Sequence, residues 1–198
     1  MATQTRYPQS NAVITTGWTD PSYAYSNDGT NYATATPGKK NTAVVSDFYN
    51  FGFSIPANAT INSITFRFEG KCSTTSSVAV IGLQPILNTT LRGSQVVSST
   101  PEPTTDTEYS STTAGTWSVS ELNDNTQSGG FKLRLTGSQG NSQTAVTMYV
   151  DYISVTVDYS IPVNISGSEQ TLNISSDAPE VSGKGNVAGE SASIQGSI

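Results

Sequence analysis

Histidine is absent from this sequence of 198 residues, and cysteine occurs once, as Cys72. Without an imidazole there is no Ser-His-Asp or Cys-His catalysis, no zinc centre of the usual His-bearing kinds and no histidine pH switch. A single cysteine closes no intramolecular disulfide, so stability rests on packing and strand pairing, and Cys72 reads as a small residue in or beside a strand. Charge is scarce as well, at 12% of residues against roughly 25% in an average globular chain. The nine Lys and Arg are scattered and outnumbered by fifteen acids, for a net charge of −6. That balance opposes phosphate neutralisation and excludes nucleic acid as an expected partner. Neither G-x-G-x-x-G nor GK[ST] occurs, so no phosphate loop is expected, and no cofactor. Long apolar runs are missing too. Residues 1–18 hold no signal-like apolar core, and no segment approaches the roughly 18 apolar residues of a membrane span. The expectation is a protein made soluble in the cytoplasm, with no membrane partner.

What the chain has in excess is hydroxyl, with 29 Ser and 28 Thr. Such a surface is common in extracellular and virion β proteins, although mucin-like stalks share part of it. The longest stretch that reads as a β-strand is Ala145 to Tyr159, AVTMYVDYISVTVDY, which has no Gly or Pro and would reach roughly 50 Å when extended. From Tyr149 onward Ile153, Val155, Val157 and Tyr159 share one face, whereas Val146, Met148 and Val150 have the opposite parity. That switch requires either burial on both faces or a bulge near Asp151. Asp151 falls on the apolar face, where an unpaired carboxylate is costly. It therefore reads as a structural buried acid bonded to loop amides, Tyr, Trp or Arg, with a metal or sugar ligand as the functional alternative.

Other strands follow the same alternation. Ile64, Phe66 and Phe68 alternate with Thr65, Arg67 and Glu69, and Phe131, Leu133 and Leu135 alternate with Lys132, Arg134 and Thr136. Strands are also expected at Asn11–Thr15, at Ala43–Ile55 with a bulge at Gly52, at Val78–Leu87 with Pro85 marking an edge or bend, and more weakly at Ser94–Ser99 and Tyr109–Thr116. Ser118 and Glu121 have capping-box spacing and mark the one helical turn. The pattern predicts an all-β fold, an antiparallel two-sheet sandwich of jelly-roll or Greek-key type with an extended C-terminal arm. Residues 1–10 read as an N-terminal arm, 11–160 as the sandwich domain and 161–198 as a Ser/Gly-rich extended arm.

The aromatics Trp18, Tyr23, Tyr25 and Tyr32 hang from turns around Asp20-Pro21 and Asn27-Asp28-Gly29. They read either as a cap closing the sandwich end or as contact residues for a sugar or a protein partner. The same turn offers Asn27, Asp28 and Asn31 to a calcium ion, though without the alternating ligands of an EF-hand it reads more simply as a turn. A carboxylate pair of glycosidase type could be drawn from Glu69, Asp151 and Asp158. After Tyr159 a β-branched residue followed by small ones recurs loosely, as NISG, NISS, EVSG, NVAG and SIQG. Such a tail is flexible alone and suits an assembly arm whose Ile165, Leu172, Ile174, Val181, Val187 and Ile194 dock along another subunit.

The order Gly17-Trp18-x-x-Pro21, Asn27-Asp28-Gly29-x-x-Tyr32-Ala33, Phe51-Gly52-Phe53-x-Ile55-Pro56-x-x-Ala59-Thr60-Ile61 and Tyr149-Val150-Asp151-Tyr152 with Val155-x-Val157-x-Tyr159 resembles β-sandwich domains of tailed-bacteriophage virion proteins. The resemblance covers about residues 11–160. It implies a non-enzymatic virion module of head, tail or fibre, whose partners are other virion proteins and copies of itself, and it carries over no catalytic residues. A glycan- or host-receptor-binding module is the alternative, motivated by the tyrosines and the hydroxyl-rich surface, and a carboxylate glycosidase is a third reading.

Overall fold

The computed structural model describes residues 1–38, 43–75, 78–99, 103–114, 117–140, 144–162, 184–187 and 190–193. The strands are β1 (Ala2–Arg6), β2 (Ser10–Val13), β3 (Ala33–Ala35), β4 (Ala43–Tyr49), β5 (Thr60–Cys72), β6 (Ala79–Leu87), β7 (Thr90–Leu91), β8 (Val96–Val97), β9 (Thr107–Ala114), β10 (Phe131–Gln139), β11 (Met148–Ser160), β12 (Lys184–Val187) and β13 (Glu190–Ser193). A short helix α1 (Val119–Asn123) and a 3-10 turn at Pro21–Ala24 complete the set.

Two antiparallel sheets build the sandwich. One runs β1-β11-β5-β9, with β3 beside the start of β11, and the other runs β2-β4-β10-β6, with the short β7 and β8 both on β6. From β1 to β6 each successive strand belongs to the other sheet, so chain connections pass over the ends and the inner faces meet in one core. Ile64, Phe66, Phe68, Ile153 and Val155 face Phe48, Ile81, Leu83, Leu133 and Leu135 there, all fully buried. Pro85 falls on β6 between the residues that pair with β8 and those that pair with β7, where its missing N–H leaves no ladder bond unmade.

The expected bulge is present. Val150 pairs with Gly70 and Tyr152 with Glu69, leaving Asp151 as the extra residue. Val150 and Ile153, three apart, can then both point inward. Ile61 and Ile64 pose the same parity problem on β5, and a second irregularity, with Asn62 as the extra residue, resolves it. At the first bulge the strands approach so closely that a Cβ on Gly70 would lie 2.8 Å from the Tyr149 carbonyl oxygen, so only glycine fits there.

Two expectations are corrected. Residues 1–10 do not stand free as an arm, because Ala2–Arg6 pairs in register with Tyr159–Val155. The Thr5–Thr156 and Thr3–Asp158 side-chain bonds reinforce that pairing. The strand expected at Ala43–Ile55 stops at Tyr49, since Asn50 and Gly52 take positive φ (59° and 65°), which ends a pleated ladder. Phe51, Phe53 and Ile55 nevertheless stay buried, held by Asn123, whose side chain bonds both the N–H and the C=O of Ile55 (2.9 and 2.8 Å). Asn123 ends α1, which carries the capping box read from Ser118 and Glu121.

The contacts divide the chain into Met1–Pro162 and Val163–Ile198. In the second unit β12 and β13 pair antiparallel. Of the residues expected to act as arm contacts, Ile165, Leu172, Ile174, Val181 and Ile194 lie outside the described residues, and Val187 pairs through its backbone with Glu190. No helix among the described residues is long and apolar enough to cross a membrane.

Candidate functional site

The outward face of the β2-β4-β10-β6 sheet carries a groove of about 660 Å³. On β4 the residue before buried Phe48 is Asp47, and strand parity sends it outward opposite Arg134 of β10. The pair is bidentate, with Arg134 Nε donating to Asp47 Oδ1 at 2.8 Å and Nη2 to Oδ2 at 3.0 Å. The Asp47 side chain is 4% exposed and that of Arg134 25%. Hydrogen bonding to Asp47 raises the guanidinium pKa further above its usual range. Lys132, two residues earlier on the same face, donates from Nζ to the Gln127 carbonyl at 3.0 Å. Ala12 and Ile14, from β2 and just beyond it, supply an apolar wall, and Gln127 and Ser128 a polar one. Chemically the groove offers cationic donors on a rigid floor beside aliphatic surface.

The four aromatics do not share a platform. Trp18 is core, 4% exposed, and its indole N–H has no acceptor among the described residues. Tyr25 meets Phe48 edge-on and donates its hydroxyl to Asn11 Oδ1 at 2.8 Å, and burial pushes its pKa up to about 12. Tyr32 has Lys71 Nζ 4.1 Å from its ring centroid and Tyr149 against its edge, so its ring is already engaged. Lys71 also donates to the Tyr32 hydroxyl (2.9 Å) and to Asp106 (3.0 Å). Tyr23 is exposed on the 3-10 turn.

Asp151 is fully buried at its bulge. Oδ1 accepts from the Gly29 amide at 3.0 Å, the Asp28 amide also favours the charged form, and Oδ2 has no partner among the described residues. Gly29 sits at φ 66°, a conformation that presents its N–H to the carboxylate and favours glycine. Burial, opposed by those amides, holds the Asp151 pKa above the ordinary carboxylate range. Asp28 is turned to its own loop, accepting from the Thr30 and Asn31 amides (2.8 Å each) and from the Asn31 side chain, which hold its pKa well below the usual range. The Asn27–Asn31 stretch is thus a self-bonded turn. No three His, Cys, Asp or Glu among the described residues come together as metal ligands.

Of the three carboxylates considered for hydrolysis, Glu69 and Asp151 are neighbours on the β5–β11 bulge, and burial followed by Asp151 raises the Glu69 pKa. Asp158 bonds Thr3 and Ser63 six positions along β11 from Tyr152, about 20 Å away at strand rise. The three do not converge. Glu108, directly opposite Glu69, instead accepts the Tyr152 hydroxyl.

Asp151 gives a prediction with a defined sign. Its folded pKa is raised, so the folded state holds the proton more tightly than the unfolded chain. Asp151 therefore favours folding at low pH and loses that contribution as pH rises from the unfolded value through the folded one. Asp151→Asn keeps an acceptor for Gly29 and should abolish this part of the pH dependence, read as the difference between the two proteins' denaturant midpoints from pH 3 to 8. Asp151→Ala orphans the Gly29 amide and should cost about 1–3 kcal/mol. Parallel pH curves for wild type and Asp151→Asn would show the carboxyl to be solvated.

Fold and groove together define an antiparallel β-sandwich with a ligand-sized groove on one outward sheet face. No protein-family profile matches the chain, and no curated protein matches it. Among solved structures it is similar to a CBM4 (14% identity, 80% of this chain and 94% of that one, TM-score 0.40). It is also similar to CBM28, a carbohydrate-binding module specific for non-crystalline cellulose (12% identity, 69% and 84%, TM-score 0.37). A third is the enzymatically active domain of Bacteriophage CBA120 tailspike protein 4 (9% identity, 67% and 20%, TM-score 0.32). At TM-scores of 0.40 and below, these likenesses carry no functional argument. Sequence reading missed the groove, although an acid inside the apolar run AVVSDFY and two cations alternating through FKLRL were its local signals.

Proposed function

We propose that the chain is a non-catalytic saccharide-binding β-sandwich, carried in several copies on a particle surface as a component of a phage virion. The observation that carries the binding half is the groove on the β2-β4-β10-β6 sheet. Its size lies within the roughly 300–1,000 Å³ of small-ligand sites, and its polar groups are already fixed in place before any ligand arrives, which lowers the entropic cost of binding. Acceptor-rich hydroxylated ligands suit such a donor-lined, partly aliphatic cleft. Screening the full chain on an array of neutral and acidic glycans tests it. Binding that Ala12→Trp, which fills the groove, removes without lowering the melting midpoint supports the reading, and no binding to any glycan overturns it.

The virion half is supported by the motif set of residues 11–160 and by the composition of the segment after it. Residues 161–198 hold little apolar side chain for the about 1–2 kcal/mol of backbone entropy that each ordered residue costs, and so suit an arm ordered by another subunit. A chain ending at Ser160 is expected to melt cooperatively yet to enter the oligomer or particle less efficiently than the full chain at equal concentration. Equal incorporation, read by sedimentation, would remove the arm.

A further inference from the structure

We propose that the groove selects an anionic saccharide, whose carboxylate docks on the free end of the Arg134 guanidinium with Lys132 beside it. This rests on the saccharide-binding reading above and names its ligand class. A guanidinium has two edges that can grip a carboxylate in two-point fashion. Asp47 occupies one, through Nε and Nη2. The other, formed by Nη1 and the second Nη2 proton, has no acceptor among the described residues, nor do the two protons that Lys132 Nζ retains after bonding the Gln127 carbonyl.

Asp47 does more than neutralise. By holding one edge of Arg134 it fixes the plane and direction of the other, so the second carboxylate meets a pre-aimed fork instead of a flexible side chain. Each Asp47 oxygen is already bonded to Arg134 and the Asp47 side chain is only 4% exposed, so the floor presents its charge mainly through the donors of Arg134 and Lys132. The local charge points the same way. The chain as a whole carries −6, yet the groove lining holds Lys132 and Arg134 against Asp47 alone, a net +1. Ala12 and Ile14 add aliphatic surface suited to the C–H face of a sugar ring. Phosphate and sulfate esters share the anionic chemistry, but a planar two-point acceptor matches the fork better than a tetrahedral one.

Titration calorimetry of the full chain with trigalacturonate, with the neutral galactotriose of the same length and with mannose 6-phosphate tests the assignment. The uronate is expected to bind at least about tenfold more tightly than its neutral counterpart, the scale of one well-placed charge contact. Ile14→Glu puts a negative charge on the groove wall at a position 46% exposed and leaves the Asp47–Arg134 pair untouched. It should weaken uronate binding about tenfold more than it weakens galactotriose binding, without moving the melting midpoint. Uronate binding no tighter than galactotriose, or weakened by Ile14→Glu no more than galactotriose binding is, overturns the anionic assignment while leaving the saccharide reading intact. Tighter binding of mannose 6-phosphate than of the uronate overturns the carboxylate, and failure of every saccharide overturns both.

Discussion

Arg134→Met is expected to destabilise the sandwich by about 3–5 kcal/mol, because it leaves a carboxylate unpaired inside the fold. The Asp47 side chain is 4% exposed and its only side-chain partner among the described residues is Arg134. The aliphatic part of Arg134 is largely retained in Met, so lost packing contributes little. The double variant Asp47→Leu with Arg134→Met should recover most of the loss, since the two positions face each other in register and a packed apolar pair avoids the desolvation cost of both charges. Urea denaturation of the two singles and the double closes the cycle. If Arg134→Met alone shifted stability by less than about 1 kcal/mol, the range of surface pairs, the Asp47 carboxylate would be reaching solvent and the groove floor would not be rigid.

Phe66→Ala should cost a similar amount for an unrelated reason. Phe66 is fully buried, stands between Val155 of β11 and Ser111 of β9, and projects into the core between the sheets. Removing a ring there loses its transfer free energy and leaves a cavity that a close-packed interior fills only in part, about 3–5 kcal/mol in total. For a domain of this size that corresponds to a fall in Tm of roughly 6–20 °C. Thermal melts monitored by near-ultraviolet dichroism measure it. Thr65→Ala, one residue away with its side chain outward and bonded to Thr112 at 2.8 Å, should move Tm by only a degree or two. Comparable shifts for the two would contradict the inward–outward assignment of β5.

The contrast between neighbours such as Phe66 and Thr65 is a property of local sequence, and this is the level at which the chain was legible. Side-chain parity along a strand is fixed by backbone geometry, so the alternation through Ile64–Phe68 and Phe131–Leu135 specified two strands and their buried faces without knowledge of their partners. The same parity called for burial on both faces or a bulge near Asp151, and the pairing shows the bulge, because Val150 and Ile153 cannot share a face unless one residue is left over. Ser118 and Glu121 lie within one turn and announced their helix for the same local reason. What no local rule supplied was the pairing of distant strands. Thr5 meets Thr156 across 151 positions and Asp47 meets Arg134 across 87. Those encounters depend on which edges remain open after the core has closed, so β1 joined the sheet where an arm was expected. Trp18 was drawn into the core against Gly137, where an added Cβ would lie 3.0 Å from its ring, and was lost to any contact surface. The groove exists because β4 and β10 are adjacent, and that adjacency is decided by the packing of both sheets together, which sequence periodicity does not encode.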